Sequence, residues 1–91
     1  MAPLDDVIDF HIVLAQYASI QQAHWLIYAK PASRCLAVHS DLASAIAHAQ
    51  QMAEYRVSAG KAAQIHVGQG DGKSWQTVWW SEGTAPKYPH S

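Results

Sequence analysis

A chain of 91 residues can hold one core, which excludes a two-domain enzyme or a large barrel. Apolar residues make up 49% and charged residues only 14%, so disorder is excluded too. Six Lys/Arg against seven Asp/Glu give a net charge of −1, without the basic excess that marks nucleic-acid binders.

Residues 1–91 read as a single domain, with an ordered core over about 7–81 and a loose C-terminal tail over 82–91 carrying Pro86 and Pro89. The start, Met1-Ala2-Pro3-Leu4-Asp5-Asp6, lacks the basic and apolar regions of a signal peptide. Phe10-His11-Ile12-Val13-Leu14 reads as a strand on β-propensity. A helix is the alternative, because Leu4, Val7, Ile8, His11, Leu14, Ala15 and Ala18 also fit helical spacing. His24-Trp25-Leu26-Ile27-Tyr28-Ala29 and Cys35-Leu36-Ala37-Val38-His39 read as a hairpin turned at Pro31-Ala32-Ser33. Asp41 is an N-cap for a helix with Leu42, Ala45, Ile46, Ala49, Met52 and Ala53 inward. Ser44, His48 and Gln51 fall on its outer face, and Gly60 stops it. Gln64-Ile65-His66-Val67 and Trp75-Gln76-Thr77-Val78-Trp79-Trp80 form a second hairpin, joined through Asp71-Gly72. The fold class is α+β: an antiparallel sheet of four to five strands with one helix on one face, in the order β-β-β-α-β-β. The alternative, with an N-terminal helix, is α-β-β-α-β-β.

Trp25-Leu26-Ile27-Tyr28, Ala32-Ser33-Arg34, His39, Ala45-Ile46 with Ala49 and Ala53, Ile65-His66-Val67 and Asp71-Gly72-Lys73 together make a pattern. It resembles the small prokaryotic family catalogued as domain of unknown function 2188, over about residues 10–80. That family has a Trp-initiated hairpin, a helix entered through Ala-Ile, and a closing Val-His/Asp-Gly hairpin. The resemblance implies a compact α+β fold. It implies no activity and supplies no catalytic residues, because the family has none assigned.

Gly68-Gln69-Gly70-Asp71-Gly72-Lys73-Ser74 ends like a phosphate-binding loop, but Val67 stands where the first Gly belongs and a strand follows instead of a helix. It is a hairpin turn. Among the histidines no pair has i, i+4 or His-x-His spacing; His24 and His66 are the weak metal candidates, with His11 or His39 as a third. Cys35 and His39 would share a strand face about 13 Å apart, at ~3.3 Å per residue, beyond hydrogen-bond reach. Cys35 is then a small buried hydrophobe. Asp5, Asp6, Asp9, Asp41 and Asp71 form no acid–base pair in a pocket. No catalytic residue, cofactor or small-molecule substrate is expected, and the chain does not read as an enzyme.

One imbalance stands out. One helix covers one sheet face, yet neighbours such as Trp79 and Trp80, or Trp25 and Leu26, point to opposite faces. Apolar bulk therefore loads both. Leu26, Tyr28, Trp79 and Trp80 are the candidate interaction face, and a second copy or another protein is expected to cover it. This reads as a non-catalytic interaction or regulatory module, homo-oligomeric and cytoplasmic, with no membrane span. Its dimer should weaken as pH falls through about 6 if His24 and His66 lie at the interface. The alternatives are a nucleic-acid-associated accessory protein, disfavoured by charge, a mobile-element inhibitor of a larger complex, or a His-based metal-binding protein.

Overall fold

A computed structural model describes residues 7–16, 23–30, 34–68 and 74–89. In chain order they form β1 (Val7–Gln16), β2 (Ala23–Lys30), β3 (Arg34–His39), α1 (Leu42–Ser58), β4 (Ala62–Gly68) and β5 (Trp75–Trp80). The order is β-β-β-α-β-β, so Val7 onward is a strand and not the alternative helix. Alternation decides it. Phe10 and Ile12 are buried in the core with Ile8 packed beside them, while the odd positions Asp9, His11 and Val13 face the other way.

The strands make one sheet in the order β3-β2-β1-β4-β5. Three of its four pairings are antiparallel, but β1 and β4 run parallel, Phe10 beside Ile65 and His11 beside His66. The sheet is therefore mixed, which corrects the purely antiparallel expectation. The reason is the crossover: α1 returns the chain so that β4 runs in the same direction as β3, and so as β1. The turns at 31–33 and 69–73, with Lys73 and its Walker-like ending, lie outside the described residues. The strands flanking each turn do pair antiparallel, as hairpins require.

Asp41 caps α1 in extended geometry, its Oδ1 accepting the Ser44 N–H at 2.8 Å. That N–H, joined by the Ser44 hydroxyl, holds the Asp41 carboxyl below its usual range. At the other end Gly60 takes φ +85°, and the Lys61 N–H returns to the Arg56 carbonyl at 2.9 Å. Ala45, Ala49 and Ala53 are fully buried against Phe10, Ile12, Ile27 and Ile65, with Leu42, Ile46 and Met52 packed at the flanks. Small methyl groups let the helix lie close to the sheet, mainly over β4. Ala49→Leu should therefore destabilise the fold by about 1–3 kcal/mol through overpacking. Urea denaturation checks it, and an unchanged midpoint would mean that the helix can lift without loss.

Two local readings need correcting. His48 is half-buried, its Nδ1 2.9 Å from the His39 Nε2, and not on a solvent face. Cys35 is exposed, because β3 is an edge strand. An irregularity in the β2–β3 register places Cys35 opposite Tyr28 and His39 opposite Trp25, so the two lie on opposite faces instead of sharing one.

Candidate functional site

The face away from α1 is built by register. Asp9, His11 and Val13 on β1 stand opposite Lys30, Tyr28 and Leu26 on β2. Leu26 then meets Val38 on β3, and Tyr28 meets Cys35. On the other flank His11 adjoins His66, which pairs with Thr77 of β5. One row, Cys35–Tyr28–His11–His66–Thr77, thus crosses all five strands.

Residues 82–89, expected as a loose tail, are docked on the β4–β5 half of this face. The Gln64 side-chain amide donates to the Ala85 carbonyl at 2.6 Å and accepts the Lys87 N–H at 3.1 Å. The Tyr88 N–H donates to Thr77 Oγ1 at 2.9 Å, and the Thr77 N–H donates to the Pro89 carbonyl at 3.1 Å. The Tyr88 ring stacks near Trp75 and stands edge-on to His66. Polar side chains on the sheet receive the segment. With residues 82–89 docked, Gln64 and Thr77 have almost no exposure, and the segment's backbone supplies the hydrogen-bond partners that water no longer reaches.

Beneath the tail sits a linked set of polar groups. His66 is fully buried, with Nε2 2.9 Å from Asp9 Oδ1 and Nδ1 2.9 Å from Thr77 Oγ1. A carboxylate only accepts, so Nε2 carries the proton and the Thr77 hydroxyl donates to Nδ1. Every group in this chain of bonds is satisfied with a neutral imidazole. Burial lowers the His66 pKa, against the opposing pull of Asp9. His11, 5.1 Å away between ring centres, is pushed down to about 4 by burial first and then by the charges of His66 and Lys30. Its Nδ1 is buried and has no hydrogen-bond partner among the described residues, and its ring meets Trp75 edge-on.

Asp9, His66 and Thr77 have the connectivity of an orienting acid, a base and a nucleophile. The hydroxyl, however, is buried and already accepts the Tyr88 N–H, so with the tail docked no substrate carbonyl reaches it. The set acts as the polar seat of the tail. Among the described residues, no three His, Cys, Asp or Glu side chains are grouped to hold a metal ion. His24 lies opposite Ala15, a different level of the sheet from His66 opposite His11, so His24 and His66 do not converge.

Among the described residues, none lies over the β1–β2–β3 half of the face. Val13, Leu26 and Tyr28 are half-buried there, and Val38 is 54% exposed. A recess of about 260 Å³ opens among His11, Val13, Tyr28, Lys30 and Trp75. Of the expected interaction residues, Leu26 and Tyr28 lie on this half. Trp80 is on the same face but beyond it, opposite Gln64. Trp79 does not belong: it stands opposite Ile65 and packs into the helix-side core. Sequence reasoning missed Asp9, Gln64, Thr77 and Tyr88. Polar residues at alternate positions of apolar strands, Asp9-x-His11 and Gln64-x-His66, were the available signal.

No protein-family model, curated protein or solved structure matches this chain. No helix among the described residues is long and apolar enough to cross a membrane.

Proposed function

We propose that this protein is a non-catalytic interaction module that self-associates through the β1–β2–β3 half of its helix-free face. The observation that carries this reading is the cross-strand row Val13–Leu26–Val38 with Tyr28 beside it, which neither α1 nor the tail covers. A row of branched apolar side chains on a sheet gains by burial, at about 25 cal/mol per Å² removed from water. A second copy supplies an identical row, and a two-fold axis buries both at once. Asp9 and Lys30, opposite one another at one rim, leave that end polar and set a limit to the patch. The exposed, unpaired Cys35 fits a reducing compartment such as the cytoplasm.

Sedimentation velocity over a concentration series tests the reading. Wild type should form dimers at micromolar to millimolar concentration, and Leu26→Lys should weaken them at least tenfold without unfolding the chain. A wild-type monomer throughout, with Leu26→Lys indistinguishable from it, overturns the proposal. Of the two histidines expected to make this interface acid-sensitive, His66 lies under the chain's own tail and only His24 falls on the same face as Leu26 and Tyr28.

A second reading draws on Tyr28, Trp75 and Lys30 around the 260 Å³ recess, where a base could stack beside a cation. The net charge of −1 argues against it. A salt-dependent mobility shift with single-stranded nucleic acid would favour this reading over self-association.

A further inference from the structure

We infer that the groove over β4 and β5 is a recognition site for an extended peptide, and that its occupant in trans is residues 84–89 of a second copy. Two chains would exchange C-terminal segments there. The proposal goes beyond face-to-face association, since it uses the other half of the sheet face and different residues.

The groove reads a backbone. Gln64 takes a carbonyl at Ala85 and an N–H two residues on at Lys87, as a neighbouring strand would. Thr77 takes an N–H at Tyr88 with its hydroxyl and a carbonyl at Pro89 with its own N–H. Trp75 and His66 form an aromatic slot for the Tyr88 ring. Pro86 and Pro89 restrict the segment to extended shapes before it docks, which lowers the entropy cost of ordering it. None of these contacts depends on which molecule the segment belongs to.

Without a peptide, Gln64 and Thr77 would exchange four hydrogen bonds to the segment's backbone for bonds to water. Ser81 stays with the body of the chain, exchanging hydrogen bonds with Ala63 through its N–H and its hydroxyl. The hinge is therefore Glu82-Gly83-Thr84. It is closed by a turn in which the Thr84 N–H and hydroxyl both donate to the Ser81 carbonyl, at 3.2 and 2.7 Å. Gly83 sits at φ +88° in that turn, and a Cβ there would meet nothing within 4 Å. A side chain at Gly83 thus strains only the closed hinge. An opened hinge keeps every groove contact if the segment docks on a neighbour, which is the condition for exchange between copies.

The test is the oligomeric state of the full-length chain carrying Gly83→Val. Its dimer fraction at equal concentration should rise at least fivefold over wild type. Adding Tyr88→Ala should return it to the wild-type level, while adding Leu26→Lys should leave it raised. That contrast separates tail exchange from association through the Val13–Leu26–Val38 row. A folded Gly83→Val chain with the wild-type dimer fraction, or a raised fraction indifferent to Tyr88→Ala, overturns the inference. If Gly83→Val does not fold, a synthetic peptide of residues 82–89 titrated into full-length Tyr88→Ala decides. Saturable change in tryptophan emission, lost when the peptide's own tyrosine is alanine, supports the groove. No change up to millimolar peptide overturns it.

Discussion

Acidification from pH 7 to pH 4 is expected to remove about 3 kcal/mol of folding stability through His11 alone. The folded chain holds His11 at about 4, against an ordinary value of 6.5. Above 6.5 the ring is neutral in both states and contributes no pH dependence. Between 6.5 and about 4 the unfolded chain binds a proton that the folded chain refuses, so stability falls as pH falls. His66, lowered for the same reason of burial, adds in the same direction. Urea unfolding at the two pH values measures the total, to which protonated carboxylates also contribute. The His11→Phe variant isolates the ring, because it keeps an aromatic edge for Trp75 without a titrating group. Its loss between pH 7 and pH 4 should be smaller than wild type's by most of that amount. Parallel pH profiles for the two chains would refute the assignment.

Thr77→Val should cost about 2–4 kcal/mol, although it replaces one branched side chain by another of nearly the same shape. One hydroxyl serves two partners, the buried His66 Nδ1 and the half-buried Tyr88 N–H. Valine leaves both without it, at about 1–3 kcal/mol for the buried His66 Nδ1 and about 1 kcal/mol for the half-buried Tyr88 N–H. Thr77→Ser, which keeps the oxygen, should lose much less. Denaturation midpoints for the pair check the stability. Hydrogen exchange at Lys87 and Tyr88 should rise in the valine variant and stay slow in the serine one. Equal behaviour of the two variants would show that packing, and not the hydroxyl, seats the tail.

The sequence made some of this legible and hid the rest for physical reasons. Strand and helix positions came through because their signals are local: the β-propensity of Phe10-His11-Ile12-Val13-Leu14, the Asp41 cap, and Gly60 beyond the last turn. Strand pairing beyond the hairpins did not. Nothing in Ile65 or His66 says that its neighbour is a parallel strand at Phe10 and His11. The seat of the tail depends on that pairing, since Asp9 reaches His66 only when β1 and β4 lie side by side. In the sequence Pro86 and Pro89 read as marks of a loose end. They stiffen a docked segment whose partners, Gln64 and Thr77, looked like ordinary polar strand residues. Trp79 and Trp80 did divide between the faces, but the face each would take was set by the β4–β5 register and its irregularity at Ile65–His66.

The parallel pairing of β1 with β4 also governs the order in which the molecule can be completed. As a chain emerges during synthesis, β1, β2 and β3 can meander into a three-stranded sheet early. One edge of that sheet is β1, and its partner arrives only after the whole of α1 has been made. Until then Phe10 and Ile12 lack their helix cover and His11 and Asp9 lack His66. Closing that long loop must precede most of the contacts that reward it, so folding should be slow for a chain of this size and sharply cooperative. The unfinished β1 edge is also where a nascent chain is most exposed to pairing with the wrong neighbour.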